Sequence, residues 1–244
     1  MDTPAPVETD YPREIFQSDL APEYRVGCAG AYFKANFLAR RLFRQRVEIA
    51  FNLMPSGQLG RALDAGTGAG FLLPGLAARC RDVDGVDLSP VMHYTQGMLD
   101  KRGLHNVKLT QADVLHLPFA AQTFEVAACM SVIEHIPDPR AALEELARVL
   151  RDDGTLILGY PLEHWVFMAL EWLLRKEERL RLRLQGKPHG KAFNPHVTDC
   201  RGLETIVEEV FTIEARRDIR IAGLPVYRIL KLRKAPTKIH PVSI

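Results

Sequence analysis

The chain has 244 residues, enough for one α/β domain with a full core and a small appended element. Apolar residues make up 47% and charged residues 25%, and the net charge is +2, which is ordinary for a soluble globular protein and excludes a strong electrostatic bias toward nucleic acid. The cysteines Cys28, Cys80, Cys129 and Cys200 form no CxxC pair, so neither a zinc site nor a redox motif is indicated. The start, MDTPAPVETDYP, lacks the basic and apolar stretches of a signal peptide, and no apolar run approaches a membrane-spanning length. A cytoplasmic protein with reduced thiols is expected.

Residues 1 to about 25 read as a proline-rich acidic tail. From Ala29 to Met54 the apolar positions recur at helical spacing, and Pro55-Ser56-Gly57 closes the run. Strands and helices then alternate. RALDAG is a short buried strand, followed by a glycine loop and a helix, FLLPGLAARC, in which Pro74 must sit in the first turn. DVDGVDL is the second strand, and Ser89-Pro90 opens a helix that ends on Gly103. VKLTQAD and TFEVAACMSV are the third and fourth strands, the latter a continuous apolar run suited to burial on both faces. Asp138-Pro139 starts a helix expected to stop at Gly154, before the strand TLILGYP.

After Pro161 the pattern changes. LEHWVFMALEWLL is an amphipathic helical stretch, RKEERLRLRL follows, and a Gly/Pro/His stretch leads to a last helix capped by Thr198 or Asp199. FTIEARRDIRIA and PVYRILKLRK read as a closing hairpin, with Leu224-Pro225 between them. The βαβ alternation implies right-handed crossovers and a doubly wound, mostly parallel sheet.

The stretch LDAGTGAG, residues 63 to 70, carries the chemistry. In such a sheet ligands sit beyond the carboxyl ends of the strands, where this loop lies. Glycine lets backbone approach a ligand closely, and a following helix offers free N–H groups. Asp87, roughly twenty residues after Gly66, is placed to accept hydrogen bonds from two ribose hydroxyls. A dinucleotide loop, GxGxxG, requires glycine where the chain has Phe71, which disfavours a nicotinamide-dependent oxidoreductase. Asp64, two residues ahead of Gly66, instead suits a ligand with a cationic end.

LDAGTGAG, GVDLS, QADVLHLPF, FEVAACMSVIEHIPDP and LARVLRDDGTLILGYP, in order from Arg61 to Pro161, resemble the motifs of class I S-adenosylmethionine-dependent methyltransferases of the type-11 group. The resemblance implies a seven-stranded Rossmann-like sheet, S-adenosylmethionine as cofactor and methyl transfer to a small molecule by in-line displacement. It implies that Asp64, Ala65, Gly66, Thr67, Gly68 and Gly70 hold the methionine end. Asp87 would hold the ribose, Leu88 would pack on adenine, Asp113 and Val114 would meet the adenine edge, and Met130 and Ser131 would lie near the methionine portion. Residues 1–54 are then a tail and covering helix, and 55–244 the methyltransferase domain, with 161–200 as a lid-like insertion. A non-catalytic scaffold that keeps the fold is the alternative, opposed by the intact Asp64, Asp87 and glycines.

The acceptor side is read more thinly. His135, after the fourth strand, is a candidate base for an oxygen acceptor, although loop anchoring is the stronger reading of Glu134-His135. Tyr32, Tyr160, Trp165 and His196 are candidates for lining the acceptor pocket. No metal is expected, since the histidines fit no ligand spacing. Trp165, Phe167, Met168 and Trp172 put apolar residues on several helix faces, and arginines adjoin them. A lipophilic or amphiphilic acceptor, or contact of 162–184 with a membrane surface, would satisfy that pattern.

Overall fold

In the computed structural model the described residues are 37–89, 92–162 and 197–234. The first element, α1 (Phe37–Leu53), is followed by β1 (Leu59–Ala65), α2 (Leu73–Ala77), β2 (Cys80–Asp87), α3 (Met92–Arg102) and β3 (Val107–Gln111). Then come β4 (Phe124–Met130), a 3₁₀ turn at Ile133–His135, α4 (Pro139–Val149) and β5 (Leu150–Pro161). A second 3₁₀ turn at Cys200–Gly202 leads into α5 (Leu203–Val210), and β6 (Phe211–Ile221) and β7 (Leu224–Lys234) end the fold.

The strands form one seven-stranded sheet in the order β3-β2-β1-β4-β5-β7-β6. The first five are parallel, and β7 runs antiparallel to β5 and β6. Strand order reverses between β1 and β4, so the crevice of a doubly wound sheet opens there, above Ala65 and Met130. Alternation along β4 sends Val126 and Ala128 to one face and Ala127 and Cys129 to the other, where two separate apolar layers cover the sheet. Val47, Ala50 and Phe51 of α1, Leu73 and Leu76 of α2 and Met98 and Leu99 of α3 build the first layer. Leu143 and Leu146 of α4 and Leu203 and Val207 of α5 build the second. Both layers are buried, which explains why these strands read as apolar runs rather than alternating ones.

Pro74 lies in the first turn of α2, as its missing N–H demands, but the helix is only five residues long and gives way to β2 at Cys80. Asp138 caps α4, its carboxylate accepting from the Ala141 amide at 3.0 Å ahead of Pro139. Gly154 does not stop that helix. Leu150 already pairs with Phe124 and is fully buried, so the sheet claims it, and residues 151–153 bulge outward before pairing resumes at Thr155. Gly154 serves the bulge: a Cβ there would stand 2.9 Å from the Arg151 carbonyl oxygen. Asp199, of the two expected caps, accepts from the Arg201 amide. The hairpin turns on Ala222-Gly223, both at positive φ (49° and 82°), not on Leu224-Pro225. Pro225 belongs to β7, opposite Arg220 and beyond Tyr227, the residue of β7 that pairs with the end of β5. Its missing N–H therefore interrupts no bond to β5.

Residues 1–36 and 163–196 fall outside the described residues, and with them the expected tail, the start of the covering helix and most of the expected lid. Tyr32, Trp165 and His196 are among them. No helix among the described residues is long and apolar enough to cross a membrane.

Candidate functional site

The loop after β1 turns on glycines at φ 80° (Gly66), 47° (Gly68) and 76° (Gly70). At Gly66 the need is twofold: the backbone is left-handed, and a Cβ would overlap the side chain of Val132, which arrives from the turn after β4. The loop hangs from β2, since the amides of Gly66 and Thr67 both donate to the Val86 carbonyl at 2.8 Å. It closes on itself through the Gly70 amide, which donates to the Thr67 carbonyl at 2.7 Å.

Two carboxylates flank this loop. Asp64, 3% exposed, accepts a 2.5 Å bond from the Thr67 hydroxyl. Burial pushes its carboxyl up to about 7, partly offset by that hydrogen bond and reinforced by the charge of Asp87. Asp87 ends β2 and is oriented by two amides: Gly68 N–H donates to Oδ2 and Ser89 N–H to Oδ1, each at 2.7 Å. Burial raises this carboxyl too, and the two amide bonds oppose the shift. A carboxylate held at both oxygens still has lone pairs free on each, which suits a vicinal diol.

Beyond Asp87, Leu88 is 60% exposed. The Ala112 amide donates to the Asp87 carbonyl at 3.1 Å and brings the end of β3 alongside. Asp113 is fixed by accepting from the Leu115 amide at 2.9 Å, and Val114 is buried beneath it. That segment is buttressed from α4. Glu145 accepts from the Leu117 amide at 2.7 Å, while Arg148 donates to the carbonyls of Leu117 and Phe119 and pairs with Glu145. The Arg148 guanidinium holds Glu145 below the ordinary carboxylate range.

On the other side of the crevice Met130 and Ser131 end β4, half-buried. The structure thus brings together every expected cofactor residue: Asp64, Ala65, Gly66, Thr67, Gly68 and Gly70 on the loop, Asp87 and Leu88 after β2, Asp113 and Val114 after β3, and Met130 and Ser131 after β4. His135 lies half-buried at the end of the 3₁₀ turn, its amide donating to the Val132 carbonyl at 2.9 Å. The same turn is tied to the chain that returns at residue 197. The Glu134 carbonyl accepts from the amides of Val197 and Thr198, and the Thr198 hydroxyl donates to the Ile136 carbonyl.

Tyr160 corrects the expectation that it lines the acceptor pocket. It is fully buried in the layer of α4 and α5, with its hydroxyl directed to Glu204 at 3.3 Å. Alternation along β5 is the reason: Gly159 faces Met130 and Tyr227 at the crevice, so its neighbour faces the other layer. Four residues were missed by sequence reasoning. Thr95, fully buried on α3, donates to the Gly68 carbonyl at 2.7 Å. Arg46 of α1 donates to Ser131 Oγ, Tyr227 of β7 shares that hydroxyl, and Val132 roofs Gly66. A threonine on the apolar face of α3 was a readable signal; the other three contacts join residues far apart in the chain.

The comparisons agree with this geometry. Residues 63–158 match the family model described as "Methyltransferase domain", Methyltransf_11. An uncharacterised methyltransferase of Bacillus subtilis, YcgJ, is 32% identical over 99 residues, covering 40% of this chain and 39% of the relative. A ubiquinone biosynthesis O-methyltransferase of Azoarcus is 33% identical over 101 residues, covering 41% of this chain and 43% of the relative. The chain therefore spans less than half the length of these curated relatives. Among solved structures, the PH0226 protein of Pyrococcus horikoshii superposes with a TM-score of 0.64 at 20% identity, over 89% of this chain and all of the other, a likeness of fold. Strand order, glycine loop and family match converge on residues 63–158, which match the methyltransferase domain model and lie at the centre of the seven-stranded sheet.

Proposed function

We propose that the protein transfers a methyl group from S-adenosylmethionine to a small-molecule acceptor of lipophilic or amphiphilic character. The observation that carries the reading is the paired arrangement of Asp64 and Asp87 around a left-handed glycine loop at the β1/β4 crevice. The cofactor supplies an already activated methyl on a positively charged sulfur, so the chain's work is binding, alignment and exclusion of water. Asp87, oriented by Gly68 and Ser89, accepts from the ribose hydroxyls. Leu88 covers the adenine, whose edge meets Asp113 and the Val114 amide. Asp64 and the loop backbone take the ammonium end, and Met130 and Ser131 flank the methionine chain.

The acceptor enters from the side of the turn after β4. A hydroxyl acceptor must lose a proton, and His135 is the residue of that turn suited to take it at neutral pH. The small-molecule class is supported by the relative named for ubiquinone biosynthesis. The lipophilic character rests on Trp165, Trp172 and the neighbouring apolar residues of the segment after β5, with Tyr32 and His196 as further acceptor contacts. The reaction needs no metal and takes place in the cytoplasm, at a membrane surface if residues 162–184 engage one.

Calorimetry with S-adenosylhomocysteine and with NAD tests the cofactor. Micromolar binding of the first and none of the second is expected, and the reverse would overturn the reading. Turnover is tested by transfer of labelled methyl to a panel of hydroxylated quinones, phenols and amines. His135→Gln should lower kcat with oxygen acceptors while leaving S-adenosylhomocysteine affinity unchanged.

A further inference from the structure

Ser131 stands in a conformation that L-residues avoid. Its φ is 58°, and it is the residue at which β4 leaves the sheet. The other non-glycine residues at positive φ among those described, Gln122 and Ala222, lie in turns away from the crevice. A left-handed serine is unfavourable and persists only where its surroundings hold it.

Three groups hold it here. Its amide donates to the Gly159 carbonyl at 2.8 Å. Its Oγ accepts from Arg46 Nη1 at 2.8 Å and exchanges a hydrogen bond with the Tyr227 hydroxyl at 2.8 Å. Arg46 is itself fixed, its guanidinium lying 3.7 Å from the centre of the Phe43 ring and 4.6 Å from that of Tyr227. Tyr227 is buried, and space for its hydroxyl exists because residue 159 is glycine; a Cβ there would come within 2.9 Å of that oxygen and 2.5 Å of Met130 Sδ. The outcome of the Ser131 turn is the placement of the next residue: Val132 lies directly against Gly66 of the cofactor loop.

We propose that Arg46 is a positioning residue for cofactor binding. From the covering helix it holds Ser131 left-handed, which seats Val132 on Gly66 and sets the loop that takes the methionine end. The inference rests on the cofactor reading above but concerns a helix that lies ahead of the matched residues 63–158. By this route α1 belongs to the cofactor site without contacting the ligand. Lysine is a poor substitute, since it cannot both stack on two rings and direct a planar donor at Ser131.

The test is a cycle of Arg46→Met, Ser131→Gly and the double variant. Dissociation constants for S-adenosylhomocysteine are measured by calorimetry, and amide hydrogen exchange is followed on the ligand-free proteins. Arg46→Met should weaken binding by about tenfold, the scale of a left-handed serine losing its support. Exchange should accelerate at residues 64–70 and 131–136 together. Glycine adopts φ 58° without penalty, so Ser131→Gly in the Arg46→Met background should restore affinity to within about threefold of Ser131→Gly alone, and slow exchange in both segments.

The proposal is overturned if Arg46→Met binds as the wild type does. It is overturned equally if the double variant stays as weak as Arg46→Met, which would make Arg46 a direct ligand contact. Acceleration of exchange throughout the domain would make its role merely structural. If the wild type does not bind S-adenosylhomocysteine, the cofactor reading fails, and the exchange pattern of the four ligand-free proteins still decides the role of Arg46.

Discussion

The crevice is bounded by two backbone bends that solve the same problem differently. After β1 the chain uses glycines at positive φ, so the left-handed conformation carries little penalty in the folded state, and contacts from Val86, Asp87, Thr95 and Val132 fix where the loop lies. After β4 the bend is made by Ser131, a residue disfavoured at φ 58°, and it is held by Arg46, Gly159 and Tyr227 from three other elements. The first bend owes its backbone conformation to local residue type; the second owes its conformation to tertiary contacts. The second bend therefore couples the site, through Val132 against Gly66, to the helix and strands that hold Ser131.

The largest effect should come from breaking the local bend. Gly66→Ala places a methyl group where Val132 already lies, on a backbone at φ 80°. Strain and overpacking together predict S-adenosylhomocysteine binding weaker by about a hundredfold or more. If calorimetry shows wild-type affinity, the contrast between the two bends is wrong. Asp87→Ala ranks next. It removes the acceptor of the Gly68 and Ser89 amides as well as the proposed ribose contact, so the loss should be about fiftyfold, on the scale of one charged hydrogen bond of 1.5–3 kcal/mol.

Asp64 makes the local bend sensitive to pH. Its folded-state carboxyl titrates at about 7 because it is buried beside Thr67 with Asp87 nearby, whereas in the unfolded chain it titrates near 3.8. The folded state therefore keeps a proton that the unfolded state loses between those values, and the contribution of Asp64 to stability falls as pH rises from about 4 to about 7. Asp64→Asn should flatten that part of the stability profile. Binding has the opposite sign, since an ammonium group favours the ionised carboxyl. Affinity for S-adenosylhomocysteine should rise several-fold from pH 5.5 to 7.5 and then level, about one pKa unit being a tenfold limit per unit of pH. Calorimetry in buffers of different ionisation enthalpy should show proton release at pH 6 and none at pH 8.5. Proton uptake at pH 6 would contradict the assignment.

The same contrast explains what the sequence made legible. The alternation of strands and helices, the glycine loop, Asp87 at the end of β2 and the apolar runs of β1 and β4 depend on periodicity and spacing, and were readable. The stop of α4 was misplaced because Gly154 has two uses, and only the pairing of Leu150 with Phe124 decides between them. Tyr160 was expected at the acceptor pocket, but it follows Gly159, and alternation along β5 turns it into the layer of α4 and α5. Arg46 and Tyr227 reached Ser131 through 85 and 96 residues of intervening chain, and neither carries a motif.

The smallest expected effect asks whether the glycine loop is fully self-supporting. Thr95 lies outside the loop, on α3, and its hydroxyl donates to the Gly68 carbonyl at 2.7 Å while its methyl packs beside Gly70. Thr95→Val keeps the shape and the methyl contact and removes one hydrogen bond. A net loss of about 1 kcal/mol would weaken S-adenosylhomocysteine binding by about fivefold. Because the hydroxyl's hydrogen bond goes to the loop carbonyl of Gly68, thermal stability and affinity should fall together but modestly. Unchanged affinity would mean that Gly66, Gly68 and Gly70 with the Val86 and Asp87 contacts define the loop alone. A loss as large as that of Gly66→Ala would instead mean that both bends are tertiary, and that α3 holds the first as Arg46 holds the second.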